Sequence, residues 1–271
     1  MRTQAFKDKV KRNVAENFDQ SFKIYQAFEE KHHFFSDLAL KLAETIGVEV
    51  GSSILDVGCG NGISARLLNE RFGCRVLGVD LSPKMIAAGR SLGDNADIHL
   101  RVGDGEDLSP VVADRRFDYV LYNASIFIFP DVTKTIQESY QCLRSGGKIA
   151  FSFYPQLIGE DKEDLFAVAF RRLGQPLSRF RVITDYSEAS EALNHCCGNI
   201  RHHRWVRPLN IEFLEAFFSI PAQSASLFPG LNDEARRDLV RRLFATLGDM
   251  KGKGRIIWRM AEGAKTEASG R

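Results

Sequence analysis

The chain has 271 residues, of which 44% are hydrophobic and 27% are charged, and its formal net charge is +2 at pH 7. This balance is typical of a globular protein with one large domain, or with one domain that carries a sizeable insertion. A nearly neutral chain has no strong overall field that would attract nucleic acid or an anionic membrane. No apolar run in the sequence is long enough to cross a bilayer.

The N-terminus and the cysteines bear on the cellular compartment. Residues 1–13 are polar and basic, and no apolar stretch follows them, so they do not resemble a secretory signal. The 5 cysteines are scattered and odd in number, which fits neither a disulfide framework nor a zinc-finger spacing. We therefore expect reduced thiols, a cytoplasmic location and no metal site.

The first 50 residues are predicted to form helices. An aromatic-rich segment, 18–25, lies between two stretches of helical periodicity. In these stretches apolar side chains recur at near-helical spacing: Val10, Val14 and Phe18, and then Phe34, Leu38, Leu42 and Ile46.

Strands and helices alternate from residue 53 to residue 154. Short apolar runs predict five strands, at 53–57, 75–80, 98–102, 117–122 and 148–154. Such an alternation predicts right-handed βαβ units and a parallel sheet that is covered by helices on both faces.

Helix signals lie between these strands. Gly73 is a plausible stop for the first helix, and Ser82 followed by proline is a typical helix start. Asp131 can cap a later helix that carries Leu143 on its apolar side and ends at 145–147.

The last part of the chain has a different pattern. Helices are predicted at 160–173 and 234–247, and strands at 200–206 and 255–260. The phenylalanine-rich region between them is interpreted as helices inserted near the last two strands. The residues after Gly263 are small and polar, which predicts a frayed tail.

A glycine-rich turn joins the first strand to the helix that follows it. Gly58, Gly60 and Gly62 let the backbone turn tightly and let a ligand approach the main chain. Asp56 would face a like charge beside a pyrophosphate, but it suits a cationic group such as the ammonium of a methionine moiety. Ile63 stands where the dinucleotide-binding pattern has glycine or alanine. The turn therefore favours a ligand other than a dinucleotide.

Polar side chains also follow the next three strands. Asp80 ends the second strand, where an acid can accept hydrogen bonds from both hydroxyls of a ribose. Asp104 follows the third strand and can accept the amino group of an adenine, and Asn123 ends the fourth. Because open α/β sheets bind ligands beyond the carboxyl ends of their strands, these residues are expected to share one crevice with Asp56.

Four segments together resemble the class I methyltransferase family, in the family's order and spacing: 56–68, 78–85, 103–106 and 143–148. The resemblance covers the core from about residue 53 to residue 154. It implies S-adenosyl-L-methionine as the cofactor and S-adenosyl-L-homocysteine as the product. It also implies an α/β fold with a Rossmann-like, seven-stranded, mostly parallel, doubly wound sheet whose last strand is antiparallel.

The resemblance further implies a division of the chain and a set of cofactor contacts. The small-molecule branch of the family often has an aromatic lid, so residues 1–50 are expected to form an N-terminal helical lid. The cofactor-binding core is expected at 51–155, the completion of the sheet with a helical substrate-specificity insertion at 156–262, and a flexible tail at 263–271. The expected cofactor contacts are Tyr25, Asp56, Gly58, Gly60, Asn61, Gly62, Asp80, Leu81, Met85, Asp104, Gly105 and Asn123.

Several functions stay open at this point. A methyltransferase acting on a small molecule is favoured, since an RNA or protein methyltransferase would need a strongly basic surface. A non-catalytic S-adenosylmethionine-binding protein would lack a substrate cavity, and Asp56 and Ile63 disfavour a dinucleotide oxidoreductase. Residues 123–126 differ from an Asn-Pro-Pro-Tyr-type tetrad, which weakens an exocyclic base nitrogen or a glutamine amide as the acceptor. The sequence identifies neither the acceptor nor a catalytic base, and it leaves a homodimer open.

Overall fold

The computed structural model describes residues 2–93, 95–176 and 182–266. Its α-helices are α1 (Gln4–His32), α2 (Phe34–Ile46), α3 (Ile63–Phe72), α4 (Pro83–Ser91), α5 (Ser109–Val112), α6 (Val132–Cys142), α7 (Leu165–Leu173), α8 (Tyr186–Cys197), α9 (Ile211–Phe218), α10 (Pro221–Leu227) and α11 (Asp233–Ala245). Its strands are β1 (Ser53–Val57), β2 (Arg75–Asp80), β3 (Ile98–Val102), β4 (Phe117–Tyr122), β5 (Leu143–Ser152), β6 (Gln156–Gly159), β7 (Ile200–Pro208) and β8 (Gly254–Ala264). Among these helices, none has both the length and the apolar character that a membrane span requires.

The described strands form one sheet. β3, β2, β1, β4 and β5 lie side by side and run parallel. β8 is antiparallel to β5 and pairs with β7 along nearly its whole length. Because β7 occupies one edge of β8, both β5 and β6 pair with the opposite edge. β5 pairs with residues 260–264 of β8, and β6 pairs with residues 254–257. The strands therefore fill seven positions, and the fold predicted from the resemblance is confirmed.

The central strands are apolar because helices cover both faces of the sheet. Ile54 and Leu55 of β1 and Val120 of β4 have no exposed side-chain surface. The predicted bounds of β1, β2, β3 and β4 are confirmed. Each of these strands is a short apolar run between polar or glycine-containing turns, so its limits are fixed locally.

The junction between α6 and β5 differs from the prediction. Leu143 is not on the apolar side of α6 but is the first residue of β5, where it pairs with Phe117 of β4. The register then shifts, and Gly146, with a φ of 75°, carries the chain through the irregularity. The strand thus begins before the glycines and ends at Ser152, whereas the sequence pattern predicted 148–154.

The segment 160–173 is helical only from Leu165. Residues 156–159 form β6 and pair with β8, which no local pattern indicated. Asp164 is the N-cap of α7, because its carboxylate accepts a hydrogen bond of 2.9 Å from the N–H of Phe166. Acidic residues are favourable in the first turn of a helix. The prediction therefore included the acidic residues before Leu165 in the helix and began it too early.

Two further parts of the C-terminal region differ from the prediction. α8 was missed because its buried face consists mainly of small residues, among them Ala189 and Ala192 around Leu193. β8 continues to Ala264, two residues into the predicted tail, because that end still pairs with β5. Residues 267–271 of the predicted tail lie outside the described residues.

Of the two N-terminal helices, α1 is the one that lies over the carboxyl ends of the strands. Asp19 of α1 accepts a hydrogen bond of 2.5 Å from the hydroxyl of Ser82, which precedes α4. His33 alone joins α1 to α2 and has a left-handed conformation with a φ of 47°. α2 is a core helix, since Phe34 and Leu38 are completely buried. The lid expected over residues 1–50 stays a prediction, and of the two helices α1 has the position that a lid requires.

A substitution at Gly89 tests how tightly α4 packs against the glycine-rich turn. A Cβ atom at Gly89 would lie 2.4 Å from the backbone oxygen of Asn61, which cannot move without shifting the turn. We expect Gly89→Ala to lower the free energy of unfolding by about 1–3 kcal/mol, the usual cost of overpacking. Gly248→Ala is the control, because a Cβ atom there meets nothing within 4 Å. Chemical denaturation measures both variants, and equal effects would contradict the packing argument.

Candidate functional site

A cavity lies between α1 and the carboxyl ends of β1, β2 and β4. The space between its atoms is about 740 Å³, a volume that includes space open to solvent. The turns that follow β1, β2, β3 and β4 form its floor. α1 and α10 form its roof.

Most of the residues that were expected to contact a cofactor line this cavity: Tyr25, Gly58, Gly60, Asp80, Leu81, Met85, Asp104, Gly105 and Asn123. Asp56, Asn61 and Gly62 lie behind the wall instead. Asp56 and Asn61 are each 1% exposed, and Gly62 packs against Leu100. Whether these residues bind a cofactor stays a prediction.

The glycine-rich turn has a backbone that other residues rarely adopt. Gly58 and Gly60 have φ values of 75° and 56°. A Cβ atom on Gly58 would lie 2.5 Å from the Cβ of Ser125, and one on Gly60 would lie 3.3 Å from the methyl carbon of Met85. Glycine is therefore required at Gly58 for both conformation and space, and the main chain of the turn stays accessible from the cavity.

Asp56 is a buried carboxylate without a partner in the described part of the chain. Neither of its carboxylate oxygens accepts a hydrogen bond there. Burial raises the pKa of Asp56 to about 7, and the charge of nearby Asp80 contributes to the increase. Because a buried charge is costly unless it is paired, the arrangement suits a ligand that brings a positive charge or a hydrogen-bond donor to this wall.

Asp80 connects the glycine-rich turn to α4. Its two oxygens accept hydrogen bonds from the N–H groups of Gly60 and Ser82, both at 2.8 Å. The Ser82 hydroxyl caps α4 by accepting a hydrogen bond of 3.1 Å from the N–H of Met85. Burial raises the pKa of Asp80, although the two backbone hydrogen bonds oppose the increase. Each carboxylate oxygen has a further lone pair for a ligand that occupies the cavity.

Asp104 is tied to the roof by Lys11 of α1. The Nζ atom of Lys11 lies 2.7 Å from Asp104 and 2.7 Å from Glu106. Burial alone would lower the pKa of Lys11, but the two carboxylates raise it, so this side chain is charged. Glu106 is 2% exposed and also accepts a hydrogen bond of 2.7 Å from the N–H of Asp131. These contacts hold α1 over Asp104.

Asn123 has a different position from the acids. Its side-chain nitrogen donates to the carbonyl of Phe35 at 2.8 Å and to the hydroxyl of Ser64 at 2.9 Å. Its side-chain oxygen accepts a hydrogen bond of 3.2 Å from Ser152. Asn123 therefore joins β4 to α2, α3 and β5, and both hydrogens of its amide are engaged. Ala124 follows with a φ of 54°, which is unusual for a residue other than glycine.

Tyr25 of α1 lies above the glycine-rich turn. Its ring stacks on Phe35, with 4.5 Å between the ring centroids. Its hydroxyl oxygen would lie 3.9 Å from a Cβ atom placed on Gly60. Burial raises the pKa of Tyr25 well above its usual value, so the hydroxyl stays protonated and can donate a hydrogen bond.

Several cavity residues were not among the expected cofactor contacts, and four of them belong to the roof. Val14 and Phe18 line the cavity. The helical pattern indicated for Val14 only a shared helix face, whereas Phe18 also begins the aromatic segment 18–25, which resembles the family's lid in position. Lys11 belongs to no sequence motif, and only its ion pairs with Asp104 and Glu106 show its place at the cavity. Gln223 comes from α10, far along the chain from the glycine-rich turn, and no local pattern marks it. Contacts of this kind arise from helix packing rather than from sequence spacing.

The strand order, the antiparallel last strand and the acids around the glycine-rich turn agree with the resemblance to class I methyltransferases that the sequence showed. Residues 55–151 match the family described as a methyltransferase domain. This match covers the core of the chain and less than half of its length.

Two curated relatives show the extent of the match. Over 160 residues the chain is 30% identical to phosphoethanolamine N-methyltransferase 2 of Caenorhabditis elegans, which covers 58% of this chain and 36% of the relative. Over 147 residues it is 31% identical to malonyl-[acyl-carrier protein] O-methyltransferase 1 of Ilyobacter polytropus, which covers 53% of each. The chain thus spans about half, or less, of the length of these relatives.

Solved structures share the fold over most of the chain. The [4+2]-cyclase SpnF superposes with a TM-score of 0.61 at 15% identity, over 95% of this chain and 97% of that one. Phosphoethanolamine N-methyltransferase 2 of Haemonchus contortus, in complex with S-adenosyl-L-methionine, gives a TM-score of 0.58 at 20% identity, over 92% of this chain and 57% of that one. At these identities the likeness shows the fold alone.

Asp56 should destabilise the ligand-free protein at neutral pH. In the folded state it keeps its proton up to about pH 7, whereas in the unfolded chain it ionises near the ordinary value of 3.8. Its contribution to stability is therefore full below pH 3.8 and is lost as the pH rises through about 7. We expect Asp56→Asn to raise the free energy of unfolding at pH 8 by about 2–4 kcal/mol.

Chemical denaturation at several pH values measures this difference, which should shrink as the pH falls toward 4 and disappear well below it, where Asp56 is protonated in the unfolded chain as well as in the folded protein. Asp114→Asn is the matched control, since Asp114 is exposed. Parallel stability curves for Asp56→Asn and the wild type would contradict a buried, unpartnered carboxylate.

Proposed function

We propose that this protein is an S-adenosyl-L-methionine-dependent methyltransferase that acts on a small molecule. The observation that carries the proposal is the buried, unpartnered carboxylate of Asp56 beside the glycine-rich turn. S-adenosyl-L-methionine brings an ammonium and a sulfonium group, which suit such a carboxylate. A nicotinamide dinucleotide brings a pyrophosphate, which Asp56 would repel. The methyltransferase domain at 55–151 supports the same assignment.

Other cavity residues fit the remaining parts of this cofactor. Asp80 can accept hydrogen bonds from the ribose hydroxyls, because its oxygens keep lone pairs beyond those used by the backbone. Asp104 can accept the adenine amino group. Leu81 and Met85 supply apolar surface for the adenine ring. The exposed backbone of the glycine-rich turn allows the methionine part to approach closely.

The cofactor, when bound, supplies a methyl group that its sulfonium makes electrophilic. The chain's own task is to hold the acceptor in line with that methyl group and to exclude water. Such alignment can supply on the order of 7–11 kcal/mol of the barrier reduction. α1 and α10 close the cavity from above, as this task requires. Tyr25 stays protonated, so its hydroxyl serves as a hydrogen-bond donor rather than as a base.

The names of the relatives favour a small acceptor. One relative is named for phosphoethanolamine and the other for malonyl-acyl-carrier protein. An RNA or protein acceptor is less favoured, because the chain's net charge is only +2. SpnF, a cyclase, has the same fold, so a protein that does not transfer methyl groups is the second candidate. We propose a cytoplasmic location, and the free thiols of the cysteines are compatible with it.

Ligand binding and methyl transfer together separate these candidates. S-adenosylhomocysteine, the product, should raise the melting temperature, and NAD should not. Methyl-labelled cofactor, incubated with the protein and a cell extract, should then label the small-molecule fraction. Stabilisation by NAD alone would overturn the cofactor assignment. Binding of S-adenosylhomocysteine without label in any fraction would support the second candidate.

Asp80→Ala should weaken binding of S-adenosylhomocysteine by roughly one to two orders of magnitude in Kd. The reason is that hydrogen bonds to a charged group contribute about 1.5–3 kcal/mol. Calorimetry measures the Kd, with the exposed Asp114→Ala as control and circular dichroism as a check on folding. A Kd within twofold of the wild-type value would refute the role of Asp80.

The pKa of Asp56 gives cofactor affinity a pH dependence. A cationic ligand binds the ionised carboxylate, and Asp56 is protonated below about pH 7. The Kd of S-adenosyl-L-methionine should therefore rise about tenfold for each pH unit below 7 and level off above it. Asp56→Asn should bind more weakly and without this dependence. A flat wild-type profile in calorimetry would show that Asp56 does not pair with a charge on the ligand.

A further inference from the structure

The charged side chains that line the described cavity lie on one side of it. Asp80 and Asp104 follow β2 and β3, and Lys11 is neutralised by Asp104 and Glu106, each at 2.7 Å. The opposite side consists of α2, of the part of the floor that follows β4, and of α10 in the roof. Its lining residues carry no charge: Phe35, members of the segment 123–130, and Gln223. We call this surface the uncharged wall.

Gln223 has a free polar group on the uncharged wall. The residue is 6% exposed and lines the cavity. Its backbone is engaged within α10, through the carbonyl of Ile220 at 2.9 Å and the hydroxyl of Ser226 at 2.6 Å. Its side-chain amide makes no hydrogen bond with the residues that the structure describes. Ser125 lines the same wall, but its hydroxyl is already engaged, because it donates to the carbonyl of Val57 at 2.6 Å.

Two contacts hold α10 in place above the cavity. The N–H of Ala222 donates to Ser21 of α1 at 2.9 Å. On the next turn, the hydroxyl of Ser226 lies 3.2 Å from that of Tyr154, just beyond the end of β5. Gln223 lies between these contacts, so its amide is held at the cavity by helices that do not depend on it.

An uncharged wall favours reactions in which charge disappears. Methyl transfer from a sulfonium to an anionic oxygen converts two opposite charges into neutral products. Transfer to a neutral amine leaves an ammonium ion, for which the uncharged wall has no counter-ion. A phosphate ester brings a second negative charge that one sulfonium cannot neutralise. Because uncompensated charge is costly away from water, the wall favours the first of these reactions.

We propose that the methyl acceptor is a singly ionised oxygen (a phenol, an enol or a carboxylic acid) on an otherwise uncharged, apolar molecule, and that the amide of Gln223 binds the polar group of that molecule. The inference rests on the methyl-transfer function proposed above. The acid gives its proton to water before it binds. Its oxygen then attacks the methyl carbon, a C–O bond forms as the C–S bond breaks, and the sulfur keeps the electron pair.

Three probes that share one ring test the class of acceptor: 4-nitrophenol, 4-nitrobenzylamine and 4-nitrophenyl phosphate. Calorimetry on the full chain, saturated with S-adenosyl-L-methionine, compares their affinities above pH 7.5. The phenol should bind at least tenfold more tightly than either of the other two. Equal affinities, or a preference for the amine or the phosphate, would overturn the proposal.

Two substitutions of similar size test Gln223 itself. Gln223→Leu should weaken 4-nitrophenol binding about tenfold, and Gln223→Glu should shift the preference at least tenfold toward the amine. Both variants should keep the wild-type Kd for S-adenosylhomocysteine within twofold, which shows that they fold. Gln141→Leu, on the exposed face of α6, is the control.

The proposed function and the role of Gln223 can be refuted separately. Wild-type protein that does not bind S-adenosylhomocysteine would refute the proposed function. Wild-type cofactor binding combined with unchanged 4-nitrophenol binding by Gln223→Leu would refute the role of Gln223 alone.

Discussion

The carboxylate of Asp80 is the junction on which the site depends. Its hydrogen bonds join the N–H of Gly60 to the N–H of Ser82, and Ser82 extends the connection to Asp19 of α1. The floor, one wall and the roof of the cavity are thus linked through one half-buried acid at the end of a parallel strand. Charge-assisted hydrogen bonds are stronger than neutral ones, which keeps the junction formed although burial raises the pKa of Asp80.

The three acids at the site differ in the partners that the fold provides for their carboxylates. Asp80 is satisfied by the backbone, and Asp104 on the far side of the cavity is satisfied by Lys11. Asp56 has neither kind of partner among the described residues. A protein that keeps such a group gives up stability in order to hold a binding site ready, and this is a common relation between stability and function.

The sequence predicted the parts of the structure that are determined locally. β1 to β4 are short apolar runs, and parallel topology brings their carboxyl ends, with Asp80 and Asp104, to one edge. β6 escaped prediction because it is a strand only through pairing with β8, about a hundred residues later. Lys11 and Gln223 reach the cavity through packing of the roof helices, which leaves no periodic signal. Asn123 was placed correctly at the cavity, but only the structure shows that its amide hydrogens are engaged.

The one-residue connection at His33 fixes the rotation of α1 about its own axis relative to α2. One residue separates α1 from the buried helix α2, so no loop can absorb a change in length. An α-helix advances by about 100° per residue. An insertion or a deletion of one residue between Tyr25 and His33 would therefore rotate the preceding part of α1 by this angle and turn Lys11, Val14 and Phe18 away from the cavity. The length of α1 belongs to the site as much as its side chains do.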